Sequence, residues 1–165
     1  MLNFIPEKIN EKIIMKNFQN IDEILDFAIT NEQQAADFYN KLSSESVEKQ
    51  MKETFSAFAK EEMGHKARLE KVKNERIFEE KQEDVLDMKI SDYIVSSPTS
   101  DKMSYREALV LAMKREKAAF RLYIKLSELA PDEKFKTIFK NLANDEAKHK
   151  LNFELEYDDV IYREN

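Results

Sequence analysis

Four stretches of the chain place apolar residues at steps of three and four, the period of an amphipathic helix. Residues 20–44 give Ile21, Leu25, Ala28, Ala35, Tyr39 and Leu42, and residues 46–77 give Met51, Phe55, Phe58, Leu69 and Val72. Residues 104–129 give Tyr105, Leu109, Ala112, Ala119, Tyr123 and Leu126, and residues 131–156 give Phe135, Phe139, Leu142 and Phe153. The start signals agree with these limits. Asn20 with Glu23, and Ser104 with Glu107, have capping-box spacing. Pro131 is suited to a first helical position, and Asp132 and Glu133 follow it at the positive end of the helix dipole.

The first two and the last two helices are separated by only a residue or two, whereas a long segment containing SSPTS at 96–100 divides the pairs. Short, long and short connections predict an all-α protein, a four-helix bundle of two helical hairpins joined by a long crossover. A short helix is expected in the crossover around Ile90–Val95. Residues 1–19 are expected to form a helical N-terminal extension, residues 20–158 the bundle, and residues 159–165 a C-terminal tail.

The two hairpins are copies of one unit. Shifting the chain by 84 positions lays ITNEQQAADFYNKLSS on MKREKAAFRLYIKLSE, and FSAFAKEEMGHKARLE on FKNLANDEAKHKLNFE. Glu32 then falls on Glu116, Tyr39 on Tyr123, Glu62 on Glu146 and His65 on His149. These are also the places where the apolar stripes are broken. Glu32 and Glu116 stand between alanines, while Glu62–His65 and Glu146–His149 stand between phenylalanine or leucine and the next apolar residue. Four carboxylates and both histidines of the chain are therefore directed at the core.

Their heights match. Thirty residues separate Glu32 from Glu62, and Glu116 from Glu146, with midpoints at Val47 and Pro131, where the hairpins turn. Fifteen residues along each helix bring both carboxylates of a hairpin to one level, about 22 Å from its turn. Four ionised carboxylates in a dry core would be strongly unfavourable on their own. Two divalent cations would neutralise them, each completed by one neutral imidazole. Glu and His at i and i+3 share a helical face, so both reach one ion. Oxygen-rich ligation with one imidazole per metal suits two iron ions, with manganese or a mixed pair as alternatives, better than structural zinc.

Composition narrows the classes. One glycine and three prolines in 165 residues leave few turns, in keeping with long helices. The net charge of −6, with lysines dispersed among acids, argues against a nucleic-acid partner. The absence of cysteine excludes disulfides, thiolate metal sites and a thiol nucleophile within this sequence. No uncharged run is long enough to span a bilayer and the first residues lack a signal-like apolar stretch, so no membrane partner and a cytoplasmic location are expected.

At FAITNEQQAADFY, FAKEEMGHK, LAMKREKAAFRLY and LANDEAKHK the sequence resembles the rubrerythrin-like branch of the ferritin-like superfamily. The resemblance implies a ferritin-like four-helix bundle with a non-haem di-iron centre. It implies Glu32, Glu62, His65, Glu116, Glu146 and His149 as ligands, with Glu62 and Glu146 bridging the metals. Rubrerythrins proper reduce peroxide. They usually carry a second glutamate one turn after the third-helix ligand, where this chain has Ala119, and a cysteine-ligated rubredoxin-like iron domain, for which this chain has no cysteine. The expectation is therefore an oxidoreductase reducing peroxide or oxygen, supplied by an external electron-donor protein and working as a homodimer or higher oligomer. The alternative is iron storage or sequestration without turnover.

Four further side chains are candidates for supporting the ligands. Tyr39 and Tyr123, seven residues after Glu32 and Glu116, would hydrogen-bond a ligand carboxylate, serve as redox-active phenols, or simply fill the core. Glu61 and Asp145, each preceding a ligand, would accept a histidine N–H or lie on a solvated face. Gly64, the only glycine, costs about 1 kcal/mol relative to alanine in a helix interior. Close approach to the metal region or to a crossing segment is one explanation, although the repeat has Lys148 at the equivalent place.

Overall fold

The computed structural model describes residues 17–75, 88–96 and 103–165. Within them the chain forms α1 (Ile21–Glu45), α2 (Lys49–Asn74), a 3-10 turn at Ile90–Asp92, α3 (Tyr105–Leu129) and α4 (Glu133–Glu164). The only sheet-like pairing among the described residues is an isolated antiparallel bridge between Asn17 and Lys89. Two compact units divide the chain after Ser91.

The first unit is the α1–α2 hairpin. Asn20 caps α1, its Oδ1 accepting from the Glu23 N–H at 2.8 Å. The expected capping box is only half closed, because Glu23 Oε2 reaches past Asn20 to the N–H of Gln19 at 2.9 Å. Ser46, expected to open the second helix, instead closes the first. Its N–H and Oγ–H both donate to the carbonyl of Leu42, at 3.0 and 2.7 Å, so α2 starts at Lys49. Ser43 Oγ donates to the carbonyl of Lys52 at 2.7 Å and fastens the two helices beside the turn. At the far end Lys73 pairs with Asp26.

Residues 17–19 are extended rather than helical. The Phe18 N–H donates to the carbonyl of Met88 at 3.2 Å, and its buried ring meets Phe27 edge-on at 5.4 Å. A bridge and an aromatic contact with α1 hold this segment where the sequence pattern suggested more helix. The remainder of the expected N-terminal helix, residues 1–16, lies outside the described residues. So do Ile77 at the expected end of the second helix and residues 97–100 of the SSPTS cluster. The short helix expected near Ile90–Val95 is a single 3-10 turn.

The second unit is the α3–α4 hairpin. Ser104 closes a full capping box: its Oγ accepts from the Glu107 N–H at 3.1 Å, and Glu107 Oε2 accepts from the Ser104 N–H at 2.7 Å. Pro131 is not the first residue of α4. The Asp132 carboxylate accepts from the Phe135 N–H at 3.0 Å and takes the cap, leaving the proline in the turn. At its other end α4 continues through Glu164 instead of ending near Glu156, so residues 159–164 are helical where a tail was expected. Side chains explain the extension: Tyr105 donates to Glu156 at 3.4 Å, Arg106 stacks over Tyr157 at 5.8 Å and pairs with Glu164 at 3.5 Å, and Asp159 pairs with Arg163.

The predicted stripes are the buried faces, although Met51 and Tyr105 at their ends are partly exposed and α1 needs a refinement. On α1 the buried alanine after Glu32 is Ala36, and Ala35 is partly exposed, as is its counterpart Ala119. Ile24 and Phe38 are buried as well, so the inward face of α1 is broader than one residue per turn.

Candidate metal centre

Midway along each hairpin the apolar packing gives way to carboxylates and an imidazole. Glu32, Glu62, His65, Glu116, Glu146 and His149 are each no more than 3% exposed. Their level comes from helical repeat, and their inward direction from the alanines around Glu32 and Glu116 and from Phe58, Leu69, Leu142 and Phe153 around the other four. In the first hairpin His65 Nδ1 lies 3.0 Å from Glu62 Oε2 on its own helix and 3.7 Å from Glu32 Oε2 on α1. In the second, His149 Nδ1 lies 3.6 Å from Glu116 Oε2 on α3. Glu32, Glu62 and His65 each offer a ligand atom within 4.8 Å of the other two, and so do Glu116, Glu146 and His149. The internal repeat is thus reproduced in geometry as well as in sequence.

These separations fit a metal. Two donors bound at right angles to one transition-metal ion, each about 2.1 Å away, lie about 3 Å apart. The histidine presents Nδ1 to the carboxylates, which leaves Nε2 to carry its proton when Nδ1 is the ligand. In the metal-free first hairpin protons take the place of metal charge. Desolvation, then the charge of Glu62, holds the Glu32 carboxyl well above its ordinary range against the lowering effect of His65. Burial opposes the charged form of His65, but hydrogen bonding to Glu32 and Glu62 and their charge outweigh it and push the imidazole up to about 10.

The supporting candidates differ in placement. Tyr39 and Tyr123 are buried at 0% and 1% exposure, and Tyr39 packs edge-on against Phe58 at 6.2 Å. Glu61 is exposed on α2. Asp145 is half-buried and pairs with Lys148 one turn later, at 3.6 Å. Around Gly64 nothing lies within 4 Å of where a β-carbon would stand, so close approach does not require glycine there.

Reasoning from the sequence missed one polar strap. Lys66, next to His65, donates to the Gln33 side chain, next to Glu32, at 2.8 Å, and Gln33 donates onward to Asp37 at 2.9 Å. It ties α1 to α2 at the level of the ligands. The second hairpin has Lys117 and Lys150 at these positions, and Lys150 turns instead to Glu154 on its own helix. The clue available in the sequence was the mismatch of the repeat one residue after the first ligand of each hairpin, Gln33 against Lys117.

Among solved structures, the chain is similar to one from Thermotoga maritima described as a ferritin-like diiron-carboxylate protein, with 21% identity and a TM-score of 0.71 over 88% of this chain and 99% of that one. A hypothetical protein from Pyrococcus furiosus aligns with 26% identity and a TM-score of 0.69, over 86% of this chain and 90% of that one. No curated protein matches the chain. The fold is therefore the ferritin-like four-helix bundle that the connection lengths suggested. The rubrerythrin profile matches residues 23–157, which includes both Glu–Glu–His sets, and the chain belongs to the rubrerythrin family.

Proposed function

We propose that the chain is a non-haem dinuclear iron protein that reduces peroxide or oxygen with electrons from a separate protein. The observation that carries this reading is the pair of equivalent buried sets, Glu32–Glu62–His65 and Glu116–Glu146–His149, one on each hairpin. When bound, two ferrous ions would supply the two electrons needed to take peroxide to water. Glu32, Glu62, Glu116 and Glu146 would hold the ions as carboxylate ligands. His65 and His149 would contribute one neutral donor apiece, so loading must displace the proton that His65 holds in the metal-free state.

The surrounding residues keep bulk water away: Tyr39, Phe58 and Leu69 in the first hairpin, and Tyr123, Leu142 and Phe153 in the second, are all buried. Ala35 and Ala119, one turn after the first ligand of each hairpin, are small and partly exposed, and a small oxidant would approach beside them. These 165 residues hold no cysteine to bind an iron of rubredoxin type, so the electrons that restore the ferrous state would come from outside them. No helix among the described residues is long and apolar enough to cross a membrane, in keeping with a diffusible donor.

The test is anaerobic reconstitution with ferrous iron, metal counting, and rapid mixing with peroxide or with oxygen. Two irons per chain and oxidation by at least one of the two are expected. Fewer than two metals, or full binding by Glu62→Ala and Glu146→Ala, would overturn the ligand assignment. Binding without oxidation would leave a storage or sequestration protein.

A further inference from the structure

The face of α4 opposite its ligands carries a pattern that the metal centre does not use. Asn144, Lys148, Leu151, Leu155, Asp158 and Tyr162 are all exposed and follow one another at steps of four, three, four, three and four. That is the spacing of a coiled-coil seam, which lines up on one side of a helix. Leu151, Leu155 and Tyr162 are 55%, 60% and 83% exposed, and they are three of the five large apolar side chains exposed among the described residues.

The order of these six residues is self-complementary. Reversed about residue 153, Leu151 changes places with Leu155, Lys148 with Asp158, and Asn144 with Tyr162. Two such helices laid antiparallel would therefore set leucine on leucine at the centre. A lysine–aspartate pair would flank the centre on each side, and an amide would face a phenol at each end. The charge of the helix as a whole is arranged in the same sense. Lys134, Lys136, Lys140, Lys148 and Lys150 outnumber Glu133, Asp145 and Glu146 in its first part, and Glu154, Glu156, Asp158, Asp159 and Glu164 outnumber Arg163 in its last. A parallel pairing would bring like charges together, whereas the antiparallel one opposes basic to acidic.

The equivalent face of α2 has Lys60, Gly64, Ala67, Lys71 and Asn74, with no leucine and no acid. The two hairpins agree at the ligands and differ here, so the seam is not a by-product of the repeat. Lys148 contacts Asp145 on its own helix at 3.6 Å, but its side chain is 73% exposed and remains within reach of a partner.

We infer that this face of α4 binds the same face of a second copy of the chain, antiparallel across a two-fold axis near residue 153. Such an interface is isologous, each contact occurring twice. The seam is about 27 Å long, and a single helix pair of that length falls at the small end of specific interfaces, so the dimer is reversible and concentration-dependent.

The test uses the full chain in sedimentation equilibrium over a range of concentrations. A monomer–dimer equilibrium is expected. Lys148→Asp and Asp158→Lys each turn two attractive contacts into two repulsive ones and should weaken association about tenfold. The double reversal should restore it, and Leu151→Ser with Leu155→Ser should abolish it while helicity by circular dichroism is unchanged. The orientation is read by disulfide formation in this cysteine-free chain. Asn144→Cys mixed with Tyr162→Cys should give mixed dimers, and neither alone should cross-link. A monomer at every concentration, single reversals that associate like the parent, a double reversal no better than the singles, or cross-linking of either cysteine variant with itself would each overturn the inference. A monomer would leave the seam to a different protein.

Discussion

His65 Nδ1 and Glu62 Oε2 stand 3.0 Å apart on the same face of α2, one helical turn separating their backbones. Neither is more than 2% exposed. In water such a pair would be unremarkable, but here each partner is removed from solvent and depends on the other, on Glu32, or on a metal for its charge balance.

The pH dependence of the metal-free protein follows from this pair. His65 titrates at about 10 in the folded hairpin against 6.5 in a model peptide, and Glu32 is likewise raised above 4.5. A group with a raised folded pKa binds more protons folded than unfolded, so its contribution to stability falls as pH rises. For His65 that contribution is fully present below 6.5 and is lost as pH climbs through about 10. For Glu32 the loss begins above 4.5. The melting temperature of metal-free protein is expected to fall steadily from mildly acidic to alkaline pH, and a flat or rising profile would contradict the proton assignment. Protein loaded with ferrous iron under anaerobic conditions should lack this decline.

Replacing Glu32 by glutamine separates stability from function. The amide keeps the shape but removes a buried carboxyl that must either take up a proton or be buried ionised at neutral pH. Metal-free Glu32→Gln is expected to be more stable than the parent at pH 8 by about 1–3 kcal/mol in urea unfolding. Metal binding should weaken in the same variant. A variant less stable in the metal-free form would show that the Glu32 carboxyl stabilises the hairpin instead of costing it stability.

Gly64 offers a second separation. Because the β-carbon of an alanine there meets nothing within 4 Å, Gly64→Ala should stabilise α2 by about 1 kcal/mol. This corresponds to a rise of about 2–4 °C in melting temperature, with metal content unchanged. Destabilisation, or loss of metal, would point to a need for glycine that the packing does not reveal.

The caps can be compared directly. Ser104 takes part in a closed capping box, whereas Asn20 accepts one bond and leaves Glu23 to the neighbouring residue. Ser104→Ala is expected to cost about 1–2 kcal/mol in chemical denaturation. Asn20→Ser should change little, since a serine hydroxyl can accept the same cap bond from the Glu23 N–H.

The helix ends show where local rules compete. Ser46 and Pro131 both have residue types that start helices, yet neither does. Ser46 was more effective as an acceptor-bonded closure for α1, and Asp132 offered a better cap than a proline could. Such contests are decided by hydrogen bonds of similar strength, which residue type alone does not rank. The length of α4 is another case: Arg106, on a different helix, extends it by contacts to Tyr157 and Glu164 that no local pattern announces.

The sequence by itself determined the two hairpins, their duplication and the six buried side chains of the candidate metal centre. Carboxylates that interrupt an apolar stripe at repeat-related positions have nowhere to point but inward, and helical rise sets their level. Only the tertiary structure decided how close those donors come, 3.0 to 3.7 Å, and which cap closes each helix. It also showed that Lys66 and Gln33 tie the first hairpin together beside its ligands, and that the outer seam of α4 is exposed. Periodicity assigns a residue to a face of its own helix. Distance, burial and pairing depend on what the neighbouring helix brings to that face.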